Sequence, residues 1–508
     1  MTTTSAGESV PVRKYPRWFG TLYVTDTLER FGFYGMQAIL VLYAVAPVDR
    51  GGLGLAVADA ASLFGAWIAV MFLLSLPGGW VGDRVLGQRR TLLLGACVSL
   101  TGYLILALPA GGASTAVGLT VLAVGGGLYK PNHQAMINLM YGDNVGRREA
   151  GISIIYTGVQ FSALVAPLLA GYLGERVSWN LGFAVAGVAM AAAAVVLFRA
   201  TAQFNGVGAR AARPLEPQER RKIVNRSLFV VGALAAVLLG AAIAGTLSPA
   251  MAIGISGLLS LVCPIIGFRW LYRNKTLSAG DRRRLRGFLA VFLGATLFWM
   301  IIAHAASLLN LFALNHVDRE MFGWVIPASW LLAAVPVFIL LLAPAFAVLL
   351  PRIGRRNNVG VKFSLGLLLV GGSFLLMAVA AATASGGAKI SPLWLVAVYL
   401  AHACGELIVA AVSIAAAGEV LPRQFMARTL GLLWLFAALG GGLGAGVVRL
   451  AEVVPEPAYY LGLGSAAVLA GLAFALGRKR LSRALAADDP EPAALPAVTA
   501  DGPELAAA

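Results

Sequence analysis

The sequence predicts an all-α polytopic membrane protein of about fourteen transmembrane helices, ordered six, two and six. Three observations predict it. Of 508 residues, 59% are hydrophobic and only 12% charged, and the mean hydropathy is +0.82, a composition outside the range of soluble domains. Apolar runs of about 20 residues, the length that crosses ~30 Å of hydrocarbon, recur along the chain. The Lys and Arg residues also fall on alternate loops, as the positive-inside rule requires.

Taken in order, the apolar runs place six helices near 18–46, 55–80, 90–109, 115–141, 150–172 and 178–199. Thr201 to Ile223 is polar and reads as a linker. Two helices follow near 227–246 and 250–272, then six near 286–314, 322–350, 361–384, 391–421, 427–450 and 457–477. The expected organisation is an N-terminal segment 1–17, a six-helix bundle 18–200, a linker region 201–285 with two extra helices, a second bundle 286–477, and a disordered tail 478–508 rich in Ala, Pro, Asp and Glu.

A net charge of +16 raises the possibility of a nucleic-acid partner, but its distribution argues against one. Arg30 and Lys130 are intramembrane, while Arg50, Arg176, Arg319, Lys389 and Arg449 lie on alternate loops or caps. The other Lys and Arg residues share the opposite face with both termini, which places both ends in the cytoplasm. The basic runs Arg210 to Arg226 and Arg269 to Arg286 stand beside membrane spans, where anionic lipid headgroups are the expected partners. Cys97, Cys263 and Cys404 lie inside predicted spans without metal-ligand spacing and read as small buried hydrophobes. No cleavable signal is apparent, since Met1 to Val12 is polar. No metal motif, nucleophile elbow or phosphate loop appears, so neither a cofactor nor an enzymatic activity is expected.

Ionisable residues inside the spans are the functional candidates, because burying them is expensive. Helix one carries Asp26, Glu29, Arg30, Tyr34 and Gln37, whose spacing of three or four confines them with position 33 to roughly 140° of one face. Helix four contains Gly127-Leu-Tyr129-Lys130-Pro131-Asn132-His133-Gln134. There Lys130, Gln134 and Asn138 share a face, and Pro131 is expected to loosen the helix. Helix five adds Tyr156 and Gln160; helix seven adds Trp299, His304, Ser307 and Asn310; helix ten adds Tyr399, His402 and Glu406. Lys130 and Glu406 offer a cation and an anion from the two halves. They are expected to meet each other, water or a substrate bearing both an amine and a carboxylate. His304 and His402 stay open between structural and titrating roles.

The loop Gly79-Trp-Val-Gly-Asp83-Arg84-Val-Leu-Gly87-Gln88-Arg89-Arg90 follows the pattern G-x-x-x-D-R-x-x-G-x-R-R and resembles the loop between helices two and three of the major facilitator superfamily. An eroded copy stands at Leu350-Pro-Arg352-Ile-Gly354-Arg355-Arg356. The resemblance implies two six-helix bundles rocking about a central site. Gly79, Asp83, Arg84 and Arg89 would then form a conformational loop, with Asp83 facing a helix N-terminus and the arginines holding carbonyl ends or lipid phosphates.

Asp26-x-x-Glu29-Arg30-Phe31-x-Phe33-Tyr34-Gly35 resembles the E-x-x-E-R-F-x-Y-Y-G motif of the proton-dependent oligopeptide transporters. Further fragments of that family run in order along residues 16–477: Gly127 to Asn132, Tyr156-Thr-Gly158, Phe298-Trp299, Ser307 to Phe312, Ile326-Pro327-Ala-Ser-Trp330, Gly405-Glu406-Leu407 and Gly431-Leu-Leu-Trp434. The resemblance implies import of di- and tripeptides, or peptide-like small molecules, with protons as the coupling ion, by a monomer in a bacterial cytoplasmic membrane. It assigns Glu29 and Arg30 to the proton-coupling motif, Tyr34 to the pocket, Lys130 to the peptide carboxylate, Glu406 to the amine and Trp434 to the pocket wall. From the residues themselves, Asp26, Glu29 and Glu406 are the expected proton carriers, since burial and neighbouring cations act oppositely on a carboxyl, with His304 as a further titrating group. Gln37, Gln160 and Trp299, polar or aromatic within the spans, are expected to join the substrate-binding residues.

The chain departs from the family pattern at Asp26 and Phe33, at Gln160, at Ala303 and His304 in helix seven, at Val335, and at Gln37. Gln37 with Ala303 removes both members of an arginine–glutamate pair, so neither charge is stranded. Two alternatives carry the same fold: an exporter of amphipathic compounds with an oily pocket widened at Phe33, Ala303 and Val335, and a membrane receptor or scaffold without a transport cycle.

Overall fold

A computed structural model describes residues 15–486 apart from 143, 213, 217, 220, 224, 226–248, 322, 353–357 and 423–424. The expected span 227–246, the second-half loop from Ile353 to Arg356 and the terminal stretch from 487 lie outside the described residues. Without water to serve the backbone, a spanning segment must pair its own N–H and C=O groups, and the apolar runs do so as helices. The first half contains α1 (Arg17–Val45), α2 (Val57–Val81), α3 (Gln88–Leu106), α4 (Gly111–Tyr141), α5 (Val145–Tyr172) and α6 (Trp179–Arg199). α7 (Pro249–Tyr272) belongs to the connection. The second half contains α8 (Ala279–Ala303), α9 (Leu308–His316), α10 (Ala334–Arg352), α11 (Val359–Ala384), α12 (Leu393–Glu419), α13 (Met426–Val447) and α14 (Glu456–Leu485). Among the described residues, 12 helices are long and apolar enough to cross a membrane; α1, at 29 residues, adds a further one of spanning length that carries the charged stripe.

Three features refine the sequence reading. The helix expected at 286–314 starts at Ala279, because Ser278 Oγ accepts from Asp281 N at 3.0 Å and Asp281 Oδ2 accepts from Ser278 N at 3.0 Å, a capping box. It then breaks through a 3-10 turn, His304–Ala306, and Ser307. α4 runs unbroken through Pro131, where Asn132 Nδ2 donates to Leu128 O at 2.8 Å and to Gly78 O at 2.9 Å. α14 continues to Leu485, into the expected tail, because Leu481 is buried and Ala484 packs on Gly287 of α8.

Within the first half α1 packs on α5 and α6, α2 on α4, and α3 on α4 and α6; within the second, α11 packs on α12 and α14, and α8 on α13. The halves meet along α2–α13 and α5–α10, and α7 lies outside that frame against α2 and α13. Glycines set the closest approaches. A Cβ at Gly78 would sit 2.0 Å from Gly127 O, so α2 and α4 touch backbone to backbone just before Lys130. A short hairpin, β1 (Glu320–Met321) with β2 (Trp324–Val325), precedes α10.

Candidate functional site

The close α1, α2 and α4 packing brings the acidic stripe of α1 onto the cation of α4. Glu29 is 4% exposed. Its Oε1 lies 3.2 Å from Lys130 Nζ and its Oε2 lies 3.5 Å from Arg30 Nε, so one carboxylate faces two cations. Lys130 also sits 4.2 Å from the centroid of the Phe33 ring, which packs at 5.6 Å against Trp67 of α2. That cation–π contact gives Phe33 a use for which a tyrosine hydroxyl is not needed. Lys130 therefore pairs inside its own half and not with Glu406, since helix packing sets Glu29 nearer.

One turn toward the start of α1, Asp26 Oδ1 lies 3.4 Å from His133 Nδ1, and His133 Nε2 lies 3.0 Å from Leu22 O. Both side chains are buried. In the sequence His133 is one residue of the helix-four motif, with no assigned role. Its position three residues after Lys130, on the same helix face, was the available signal. Gln134 and Asn138 of the same motif are exposed.

The second half is electrostatically different. Among the described residues Glu406 has no hydrogen bond or ion pair, while Tyr34 and Tyr156 lie within its electrostatic reach. Tyr156 is 41% exposed, and Gln160, one turn on, is buried. Trp434 stacks on Phe72 of α2, with centroids 5.6 Å apart and planes at 7°, and its other side is open. Trp299 is half-buried, edge-on to Phe298. Gln37 is half-buried, beside Ala38, whose carbonyl accepts from Asn310 Nδ2 of α9 at 2.7 Å. His304 is not brought to this cluster: Nδ1 lies 2.8 Å from Met300 O and Nε2 2.8 Å from the Tyr459 hydroxyl, so both nitrogens are taken up inside the second half. His402 is buried beside Phe374 and Tyr399.

At the face where α1 ends and α2 begins, polar contacts tie the halves together. Glu175 accepts from Ala328 N at 2.7 Å, from Ser329 N at 3.0 Å and from Ser329 Oγ at 2.5 Å. Trp330 Nε1 donates to Leu168 O at 2.9 Å, Ser62 Oγ to Ala445 O at 2.7 Å, Arg176 to Val325 O, and Arg449 Nη2 pairs with Asp59 Oδ1 at 3.1 Å. In the adjoining loop, burial pulls the Arg319 guanidinium below its ordinary value, with Glu175 acting in the opposite sense. These contacts hold the two halves together on this face.

The Gly79–Arg90 loop lies at the other face. Gly79 stands over Pro131, with space for a Cβ at 3.5 Å. Asp83 Oδ1 accepts from Gln88 Nε2 at 2.7 Å, at the start of α3, and Arg84 Nη2 meets Glu219 Oε2 at 3.3 Å. Arg89 Nη1 donates to Thr201 O at 3.3 Å, and Arg89 N to Gly208 O at 3.0 Å. The loop thus fastens the beginning of the linker to the ends of α2, α3 and α6.

Comparison with known proteins gives a consistent picture. Residues 89–461 match the model of the POT family. A di-/tripeptide transporter of Lactococcus lactis subsp. cremoris is 30% identical over 476 residues, 91% of this chain and 95% of the relative. The structure of a peptide transporter POT in complex with sulfate superposes with a TM-score of 0.87 at 33% identity, covering 94% of this chain and 98% of that one. That of a POT family transporter in complex with 5-aminolevulinic acid gives 0.88 at 28% identity, covering 92% and 98%.

Proposed function

The chain belongs to the POT family, a family of transporters and not of enzymes, and from that premise we propose that it imports di- and tripeptides or peptide-like small molecules with protons, by alternating access. The observation that carries this reading is the three-way contact of Glu29 with Lys130 and Arg30 in the first half, beside which the second half offers an acid, Glu406, with no ionic partner among the described residues. A buried ammonium without a counter-ion costs several kcal/mol. Protonating Glu29 removes the counter-ion of Lys130, and a substrate carboxylate arriving at Lys130 restores it. Proton and peptide therefore favour each other's binding. The peptide amine faces Glu406, and Tyr34, Tyr156, Gln160, Trp299 and Trp434 bound the space between the two charges. Asp26 and Arg30 complete the proton-handling stripe.

By the positive-inside distribution both termini and the 82–87 loop lie in the cytoplasm of a bacterial cell, so the face where Glu175, Trp330 and Arg449 tie the halves together is the external one. The basic runs beside α7 meet anionic headgroups, and the working unit is a monomer. Loading the protein into proteoliposomes and acidifying the outside tests the reading. Labelled dialanine should accumulate, and Glu29→Gln should abolish gradient-driven accumulation. Uptake indifferent to both the gradient and Glu29→Gln would refute coupling through this stripe. Drug resistance without peptide uptake would favour export, and binding without translocation a receptor.

A further inference from the structure

The contacts of His133 constrain where protons sit. Leu22 O is a carbonyl oxygen and can only accept, so the 3.0 Å contact places a hydrogen on His133 Nε2. A neutral imidazole then has its lone pair on Nδ1, which lies 3.4 Å from Asp26 Oδ1. If Asp26 were ionised as well, two acceptors would stand 3.4 Å apart in a buried site, an arrangement with no favourable term. One further hydrogen between the two atoms resolves it, whether the pair is written as imidazolium with carboxylate or as imidazole with carboxylic acid.

We propose that Asp26 and His133 together bind one proton between Oδ1 and Nδ1, a site separate from the Glu29 carboxyl, and that this proton is carried through the transport cycle. The site is built on the same two helices as the Glu29–Lys130 pair. The parallel ring of Tyr129, 5.8 Å from that of His133 with planes at 7°, holds the imidazole plane. Asp26 stands where the resembling motif has glutamate, and its shorter side chain ends at His133. The ionisable groups around the pair are Glu29, Arg30 and Tyr34 on α1, Tyr129 and Lys130 on α4, and Tyr103 on α3, whose hydroxyl lies against Gly32 of α1. From α5, Ser162 Oγ donates to Thr27 O, and from the turn after α6, Gln203 pairs with Thr21; α2 meets α4 through the Gly78 backbone. Losing the shared proton would leave a second anion beside Glu29 on the same helix face. The charge states of the two sites are thereby linked. The proton's part in the cycle rests on the import reading; its presence at the pair does not.

The chain has 4 histidines, which makes the test direct. Nitrogen NMR of the full chain labelled with 15N-histidine in lipid nanodiscs, with His133 assigned by loss of its signals in His133→Asn, should show Nε2 protonated and Nδ1 carrying or sharing a proton at about pH 5. In Asp26→Asn, Nδ1 should shift to the value of an unprotonated acceptor. A wild-type Nδ1 that is unprotonated and unbridged at that pH, or one unchanged by Asp26→Asn, overturns the site. In proteoliposomes, the pH gradient that just balances an opposing dialanine gradient gives protons moved per peptide. That ratio should fall in both variants, and an unchanged ratio overturns the proton's role in the cycle. If the NMR signature is present while the wild type moves no dialanine, the proton site stands and the import reading falls.

Discussion

The two halves handle charge in opposite ways. In the first, the central carboxylates are paired locally: Glu29 with Lys130 and Arg30, and Asp26 with His133. In the second, Glu406 has no ionic partner among the described residues, and His304 is absorbed into hydrogen bonds with Met300 and Tyr459. A paired site changes its charge only by exchanging partners, which suits protons and a competing carboxylate. An unpaired acid is available to a cation at once. Under the proposed import reading, the asymmetry would divide labour between the halves, with proton exchange in the first and amine capture in the second.

The largest expected break in this contrast is Glu29→Gln, which leaves Lys130 and Arg30 without their shared anion. Breaking a buried pair from one side costs ~3–5 kcal/mol, and gradient-driven dialanine uptake should vanish while the thermal midpoint falls. Lys130→Ala strands Glu29 on Arg30 alone. Its main effect should be on peptides with a free carboxylate: the KM for dialanine should rise by about 10- to 100-fold, equivalent to ~1.4–3 kcal/mol, with little change for dialanine amide.

The same logic run on the second half should give a different answer. Glu406→Gln removes a charge that no partner holds, so thermal stability should hold or rise, while affinity for free-amine peptides falls by about tenfold or ~1.4 kcal/mol and that for N-acetylated peptides does not. A fall in stability matching that of Glu29→Gln would erase the contrast. The smallest effect is reserved for Phe33. Phe33→Leu removes the cation–π contact with Lys130 and should cost ~1–2 kcal/mol of stability, read from the denaturation midpoint, whereas Phe33→Tyr should be near neutral.

Much of this was legible in the sequence, and the parts that were not have identifiable causes. The α1 stripe, Lys130 and Glu406 declare themselves as charges in apolar spans, because membrane insertion makes such residues costly. Which anion Lys130 meets was not legible. It depends on α2 and α4 closing at Gly78 and Gly127, a three-dimensional fact that the motif only hints at. His133 was hidden by its neighbours, since a histidine beside Lys130-Pro131-Asn132 reads as filler until Asp26 is seen opposite. His304, in place of an expected helix-seven residue, looked like a titrating substitute, yet the break at Ser307 and the Tyr459 hydroxyl give it structural partners. Pro131 was expected to loosen α4 and free backbone groups that need partners; the helix continues, and Asn132 Nδ2 serves the carbonyls of Leu128 and Gly78 beside it.

The central claim is that a proton on Glu29 and a carboxylate at Lys130 promote each other's binding. The most direct test is equilibrium binding of labelled dialanine to the purified wild type and to Glu29→Gln across a pH series. Wild-type affinity should strengthen as the pH falls, while Glu29→Gln, which mimics the protonated acid, should bind well at the alkaline end and show a much flatter profile. A Glu29→Gln protein whose affinity follows pH as steeply as the wild type does would contradict the account.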